Sequence, residues 1–196
     1  MQDYIVPENV FQVKRKKEML DGRIYNMASP SPNHNRVAGN IYLKFRNFLK
    51  GKRCRVFMDG VDVKFNDKNV VIPDVMIVCN KDIIKKDGIY GAPDLIVEVL
   101  SPSTAERDIG YKKELYAQHG VSEYWIVNPA DKTVQVYLLR DNLYRLDKIY
   151  QIYEDWFIEK KMEPEEVAAI IMEFRPSLPG FEDLLINVEE IFENVD

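Results

Sequence analysis

The sequence has few of the residues that build zinc sites and nucleophilic hydrolase sites. Its 196 residues include two cysteines and two histidines, and these are not spaced as zinc ligands. It has no glycine-rich loop of the phosphate-binding kind and no Gly-x-Ser-x-Gly turn. These absences exclude a Cys/His zinc cluster, a P-loop nucleotide site and a serine hydrolase elbow.

Long apolar runs are absent as well. No stretch approaches the roughly 18 apolar residues that cross a bilayer, and the N-terminus lacks the apolar core of a signal peptide. We therefore expect a cytoplasmic protein with no membrane partner. Cys54 and Cys79 are then expected to be free, buried thiols, because neither their spacing nor their context favours a disulfide.

The composition is that of a globular domain with an uneven charge distribution. Hydrophobic residues make up 46% and charged residues 30%, which predicts one buried core. We assign one domain to 1–196, with a core of about 17–150 and an acidic extension at 151–196. The extension has 13 acidic and three basic residues, a net charge of −10, whereas 1–150 has 24 basic and 19 acidic residues, or +5. A basic body is compatible with a phosphate-bearing partner, although the whole chain carries −5.

Two surfaces have more than one interpretation. The segment 44–55 holds six basic side chains and no acid, which fits either cations at a helix end or a phosphate-contacting surface. In the extension, Trp156, Phe157, Phe174 and Phe181 could anchor a partner protein. They could instead seal the core or a homodimer contact, which is the interpretation we prefer.

Periodicity predicts a mixed α/β arrangement. Ser31 caps a helix that Gly51 ends. The run 95–100 is apolar on both faces and predicts a central strand, followed by a helix that Gly120 ends after His119. The other predicted elements are two strands joined at 66–69, the second over 70–78; a short strand over 123–127; an outer hairpin of 133–139 and 143–150; and a helix over 164–174.

Two acidic residues break the apolar pattern of the predicted strands. Glu98 lies within 95–100, where an ionised carboxylate is costly unless it is paired, hydrogen-bonded or bound to a cation. Asp74 interrupts 70–78 directly after Pro73, which cannot donate to a sheet. If the two strands are neighbours, both carboxylates can share a divalent cation, and oxygen ligands favour Mg²⁺ or Mn²⁺. Either residue alone is more typical of a structural hydrogen bond or an ion pair.

The helix after Glu98 supplies a cation. Lys112 shares a helical face with Asp108 and with apolar residues that are expected to pack on the sheet. It could instead form a surface pair with Asp108 or extend its side chain to solvent. Lys113 points about 100° away and is the weaker candidate for a catalytic lysine.

These motifs form a recognisable series: Pro73-Asp74, then APDLIVEVLSPST at 92–104, then Asp108 with Lys112 and Tyr116, then GVSEYWIV at 120–127. DGRIYNM at 21–27 and SPSP at 29–32 precede it. The series resembles the Uma-type restriction endonuclease family, which belongs to the PD-(D/E)XK nuclease superfamily. The resemblance covers roughly 17–150.

The resemblance implies a restriction-endonuclease-like mixed β-sheet flanked by helices, with an outer antiparallel hairpin and a C-terminal helical extension. It implies Asp74 and Glu98 as metal ligands, with the backbone carbonyl of Val99 as a third. The superfamily pattern has a lysine two residues after the glutamate, where this chain has Leu100. The catalytic lysine is therefore expected on the following helix, as Lys112.

Four further residues are candidates for the site. His34, Asp108 and Lys113 are candidate substrate contacts, and Glu18 is a possible extra acidic residue. A structural role is the preferred interpretation for Glu18 and His34. The expected function is hydrolysis of phosphodiester bonds in DNA by a Mg²⁺-dependent, homodimeric endonuclease, with Mn²⁺ as a plausible substitute. The alternative is a catalytically silent nuclease-fold protein that binds nucleic acid or another protein.

Overall fold

The computed structural model describes residues 16–195. Its strands are β1 (Lys17–Leu20), β2 (Arg23–Asn26), β3 (Arg55–Met58), β4 (Val63–Asn66), β5 (Asn69–Val71), β6 (Val75–Val78), β7 (Ile84–Lys85), β8 (Gly88–Tyr90), β9 (Leu95–Val99), β10 (Glu123–Asn128), β11 (Thr133–Arg140), β12 (Leu143–Gln151), β13 (Glu173–Phe174) and β14 (Ile186–Asn187). Its helices are α1 (Pro32–Phe48), α2 (Ala105–Ile109), α3 (Tyr111–Gln118), α4 (Asp155–Lys161), α5 (Pro164–Ala168) and α6 (Val188–Ile191), with a 3-10 turn at Lys81–Ile83. Within 16–195, no helix has the length and apolar character needed to cross a membrane.

The strands form two six-stranded sheets and a short ladder of β13 with β14. The outer sheet has the order β2-β1-β5-β4-β8-β7, and the central sheet has the order β12-β11-β10-β9-β6-β3. In the central sheet, β9 and β10 are parallel and are joined through α2 and α3, whereas the other pairs are antiparallel. The predicted fold class is confirmed, but the strands divide between two sheets where one was expected.

Each face of the central sheet buries its own apolar layer. Val75 and Ile77 face a layer that contains α1 and the C-terminal segment, whereas Met76 and Ile96 face α3 and the outer sheet. This alternation follows from the two-residue period of a strand. It places Glu98, two residues after Ile96, on the face of the sheet that α3 covers.

Proline divides the predicted strand over 70–78. The chain leaves the outer sheet after β5, passes through Ile72 and Pro73, and enters the central sheet at Val75. Pro73 has no N–H to contribute to a ladder, so the change of sheet occurs where a continuous strand would lose a hydrogen bond anyway. Asp74 therefore lies just before the N-terminal end of β6 and not inside a strand.

Glycine divides the helix that was predicted to run to His119. A Cβ at Gly110 would lie 2.9 Å from the carbonyl oxygen of Glu106, closer than side-chain carbons approach. The chain bends here, so Asp108 belongs to α2 and Lys112 to α3. By contrast, α1 begins where it was predicted, because the Ser31 hydroxyl accepts a hydrogen bond from the His34 N–H.

The C-terminal segment departs most from its prediction. The helix expected over 164–174 ends at Ala168, and Phe174 lies in β13. Phe174 and Phe181 are buried in the layer beneath α1, as the core-sealing interpretation predicted, whereas Trp156 is 53% exposed.

The two cysteines form a disulfide, so the prediction of free thiols is wrong. Cys54 directly precedes β3 and Cys79 directly follows β6, and these strands pair with Arg55 opposite Val78. The cysteines are therefore cross-strand neighbours, although 25 positions separate them in sequence. Sequence spacing could not reveal this proximity, because it depends on which strands pair.

Removing the disulfide by the double substitution Cys54→Ser and Cys79→Ser should lower the free energy of unfolding by about 3 kcal/mol, because the cross-link limits the entropy of the unfolded chain. Urea unfolding with and without dithiothreitol measures this loss. Reductant should destabilise the wild type and leave the double variant unchanged. A wild type that is insensitive to reductant would contradict the prediction.

Glu123, the first residue of β10, connects the central sheet to the C-terminal segment. It is 1% exposed, and its oxygens accept hydrogen bonds from the Trp125 indole and the Ser177 N–H, both at 2.7 Å. Within 16–195 it makes no salt bridge, and burial raises the pKa of its carboxyl to about 7.

This raised pKa predicts a pH-dependent stability. The folded pKa of about 7 exceeds the ordinary 4.5, so the contribution of Glu123 is present below pH 4.5 and is lost as the pH rises through 7. The whole loss is about 3 kcal/mol. The Glu123→Gln variant should therefore lose less stability than the wild type between about pH 5 and pH 8 in urea unfolding. The exposed control Glu114→Gln should retain the wild-type slope, and equal slopes in all three proteins would refute the assignment.

Candidate active site

A cleft of about 1000 Å³ opens at the end of the central sheet where β6 begins and β9 ends. Asp74 directly precedes β6, and Glu98 lies in β9. Asp108 lies in α2, Lys112 in α3 and His34 in the first turn of α1. The five side chains are polar or ionisable, and all five line this cleft. The structure thus brings together residues that the sequence places on five separate elements.

Asp74 is fixed by hydrogen bonds from two directions. Its Oδ2 accepts from the backbone N–H of Val99 at 2.7 Å, and His34 Nε2 lies 3.2 Å from the same oxygen. Its own carbonyl accepts from the Asp59 N–H at 2.9 Å. The carboxylate is therefore bound to the end of β9, although Asp74 directly precedes β6.

Asp74 and Glu98 flank the last pair of the β6–β9 ladder. Val75 pairs with Val97 in that antiparallel ladder; Asp74 directly precedes Val75, and Glu98 directly follows Val97. Asp74 is close enough for its charge to raise the pKa of Glu98. Two acidic side chains thus adjoin at the mouth of the cleft.

Lys112 is the centre of a buried charge cluster. Its ammonium lies 2.9 Å from Glu18 Oε1, 3.2 Å from Glu98 Oε1 and 3.2 Å from Asp108 Oδ1, and its side chain is 2% exposed. The Tyr116 hydroxyl donates to Glu98 Oε1 at 2.6 Å. Lys112 therefore points inward, and the expectations of a surface pair or a solvent-reaching lysine are excluded.

The pKa values in this cluster follow from burial and from its charge imbalance. Burial raises the pKa of Glu98 well above 4.5; the charge of Lys112 opposes the rise, and the charges of Asp108 and Asp74 add to it. Burial likewise raises the pKa of Asp108, against the charge of Lys112. Burial alone would lower the pKa of Lys112, but the surrounding carboxylates outweigh it and leave that pKa well above 10.5.

His34 lies between Asp74 and the end of β9. Burial alone would lower the pKa of its imidazole, but the hydrogen bond and charge of Asp74, the charge of Asp59 and the backbone of Val99 raise it above 6.5. Its Nδ1 is buried and has no hydrogen-bond partner among residues 16–195. His34 is therefore a polar group of the cleft and not a packed core side chain.

The remaining predicted residues occupy different positions. Val99 is fully buried and contributes its N–H to Asp74. Glu18 lies behind Lys112, where Oε1 also accepts from the Ile72 N–H at 2.9 Å, so it supports the lysine without lining the cleft. Lys113 does not line the cleft either, since its ammonium lies 3.6 Å above the ring of Tyr137.

Sequence reasoning missed Asp59 and Lys16, which form an ion pair at the rim of the cleft. Oδ1 of Asp59 is buried without a hydrogen-bond partner in the part of the chain that the structure describes. An aspartate before a glycine is ordinary in a turn, so this residue gave no signal. It reaches the cleft only because β3 pairs with β6 and ends beside Asp74.

The donor set fits a hard divalent cation in its chemistry. Carboxylates outnumber cations in the cluster, and Mg²⁺ and Mn²⁺ prefer oxygen ligands. Within 16–195, however, no three His, Cys, Asp or Glu side chains are grouped closely enough to hold a metal ion. A cation in the cleft would therefore need a main-chain carbonyl or water in addition to side-chain carboxylates.

Comparison with known proteins gives likenesses of three kinds. The sequence profile of the Uma2 family, described as "Putative restriction endonuclease", matches residues 3–163. A Synechocystis sp. (strain ATCC 27184 / PCC 6803 / Kazusa) protein, "Uncharacterized protein slr1290", is 32% identical over 131 residues, which cover 66% of this chain and 69% of that protein. A crystal structure described as a "putative nuclease belonging to DUF820", from Anabaena variabilis ATCC 29413, superposes with a TM-score of 0.67 at 17% identity and covers 95% of this chain and 93% of that one. This last likeness shows the fold.

Replacing Lys112 with Met should lower the free energy of unfolding by about 3–5 kcal/mol at pH 7, because buried carboxylates lose their shared cation. Without that cation the folded carboxyl pKa values rise further above their unfolded values, so the deficit should shrink as the pH falls from about 8 to 5. Denaturant unfolding at several pH values measures both effects.

The adjacent substitution Lys113→Met is the matched control. Lys113 makes a single partly exposed contact with an aromatic ring, and its loss should cost at most about 1 kcal/mol. Equal losses in the two variants would show that the cluster does not depend on Lys112.

Proposed function

This chain belongs to the Uma2 family ("Putative restriction endonuclease"), and we propose that it is a metal-dependent endonuclease that hydrolyses phosphodiester bonds in DNA. The observation that carries the proposal is that Asp74 and Glu98, which flank the end of the β6–β9 ladder, line one cleft, with the Lys112 ammonium 3.2 Å from Glu98. Adjacent carboxylates with a nearby ammonium are suited to binding a cation and a phosphate group together.

Asp74, Glu98 and the backbone carbonyl of Val99 would hold the cation. When bound, a Mg²⁺ or Mn²⁺ ion would polarise the phosphoryl oxygen and lower the pKa of water. The Val99 N–H holds the carboxylate of Asp74 in place, and Tyr116 and Lys112 hold that of Glu98. Both ligands would thus be oriented before the cation arrives.

Lys112 would stabilise negative charge that develops at phosphorus. Its raised pKa keeps the ammonium protonated, and Glu18 and Asp108 prevent it from moving away from Glu98. His34, held 3.2 Å from Asp74, would donate a hydrogen bond to a phosphate oxygen. A preorganised cation and donor lower the barrier because they need no reorientation during the reaction.

A nuclease-fold protein that binds DNA without cutting it is the second candidate. One observation favours it: Lys112 already contacts three carboxylates in this structure. These carboxylates would weaken the attraction between the Lys112 ammonium and a substrate phosphate. Cleavage assays distinguish the two candidates.

The variants Asp74→Asn and Glu98→Gln should each reduce cleavage of plasmid and linear duplex DNA by about 10²–10³-fold or more, because each removes a charge on which the bound cation depends. The rate of conversion of supercoiled plasmid with Mg²⁺ or Mn²⁺ measures the loss. Asp67→Asn and Glu114→Gln are exposed and lie outside the cleft, so they should retain wild-type rates.

Thermal unfolding tests cation binding apart from catalysis. A cation that binds only the folded state raises the melting temperature by mass action, and Asp74→Asn should abolish this rise. A melting shift without cleavage by the wild type would favour the binding protein. No shift and no cleavage with either metal would reject the proposed function.

A further inference from the structure

A second cleft, of about 530 Å³, lies at the C-terminal end of α1 and is lined by basic side chains. We call it the basic cleft. Its lining includes no acidic residue and has these six basic ones: Arg46, Lys50, Lys52, Arg53, Arg55 and Lys81. Lys81 comes from the turn after β6, so the charge cluster is made by folding and is larger than the basic segment in the sequence.

These six side chains are exposed, and the charge of Lys52 lowers the pKa of nearby Glu182. In the described part of the chain none of them makes a salt bridge, whereas neighbouring Lys44 pairs with Glu190. Their polar partners are neutral where they have them: Arg53 donates to the Cys79 carbonyl at 3.1 Å, and Arg55 donates to three nearby carbonyls. Lys52 lies over the ring of Phe48.

The dipole of α1 does not account for this concentration. A helix C-terminus favours cations by about 0.3–1 kcal/mol each, and only within the last turn. That effect applies to Arg46, but the other five basic residues lie beyond the helix. Six clustered cations that make no salt bridge within 16–195 indicate a surface suited to an anionic partner.

The backbone of the basic cleft is fixed in advance. The disulfide joins Cys54 to Cys79 in its wall, and Gly51 ends α1 with a φ of +79°, a conformation that favours glycine. The hydrogen bonds of Arg53 and Arg55 tie the same loop to backbone carbonyls. A rigid cationic loop loses little entropy when it binds phosphates.

The basic cleft and the candidate active site lie at opposite ends of one strand. Asp74 directly precedes β6 and Cys79 directly follows it, so five residues of extended chain separate them by about 17 Å. Successive phosphates of one DNA strand advance about 3.4 Å along the axis of the duplex. A duplex whose axis follows β6 would therefore span the two sites in about five nucleotide steps.

We propose that the basic cleft binds the phosphodiester backbone of the DNA that is cut at the other end of β6. The partner class rests on the proposed function. The contact itself is electrostatic and sequence-independent, and it requires no divalent cation.

The test is the binding of a fluorescent DNA duplex in EDTA, measured by anisotropy at several salt concentrations. The duplex has about 24 base pairs, roughly two helical turns. The double variant Lys50→Glu with Lys81→Glu should bind at least about tenfold more weakly, and the slope of log affinity against log salt should become shallower by about two. The control Lys85→Glu with Lys86→Glu changes the net charge equally at exposed positions outside the cleft. It should bind within about twofold of the wild type.

Two outcomes would overturn the inference: wild-type affinity and salt slope in the Lys50/Lys81 variant, or displacement of DNA by polyglutamate at equal charge concentration, which would indicate an acidic protein partner. Failure of the proposed function is separate. If the wild type does not cleave DNA but the Lys50/Lys81 variant alone loses binding, DNA binding by the basic cleft is supported and DNA cleavage at the candidate active site is rejected. If the wild type cleaves and all variants bind equally, only the basic cleft is rejected.

Discussion

The candidate site depends on a charge balance around one buried ammonium. Lys112 neutralises at most one of the three carboxylates it touches, and Asp74 lies near enough for its charge to raise the pKa of Glu98. A buried excess of negative charge is unfavourable unless protons or a cation compensate for it. Without a cation, proton uptake is the available response, and the raised pKa values of Glu98 and Asp108 reflect it. A divalent cation would provide the other response, which is why this cluster supports a catalytic rather than a purely structural interpretation.

Two interruptions of regular structure assemble this cluster. The chain changes sheet at Pro73, so Asp74 emerges at the mouth of the cleft, and it bends at Gly110, so Asp108 and Lys112 lie on successive short helices. Glu18, from the outer sheet, then reaches Lys112 across the interface between the sheets. The acidic residues thus tie together both sheets and the crossover helices, and changes to the charges would affect stability as well as chemistry.

The sequence was informative where a residue contradicted its surroundings. Glu98 within an apolar strand and Lys112 on an apolar helical face were both identifiable, because burying a charge is costly enough to require a partner. The α1 cap, the fold class and the outer hairpin were also predictable from local patterns. The disulfide, the division into two sheets and the rim pair of Lys16 with Asp59 were not, because each depends on long-range strand pairing that leaves no local signature. The prediction of a helix through Phe174 was wrong because Phe174 pairs in a strand and packs against Trp125, a tertiary contact that overrides helical spacing.

The separation of charges along β6 has a further physical consequence. An acidic active site repels the polyanion on which a nuclease acts, and this chain carries a net charge of −5. The basic cleft, about 17 Å away, lies beyond the Debye length of about 8 Å at physiological ionic strength, so it does little to neutralise the acidic cluster through space. It can offset the repulsion only by direct contact with a phosphate chain long enough to span both sites. The length of β6, which directly follows Asp74, would then determine which phosphate reaches the carboxylates.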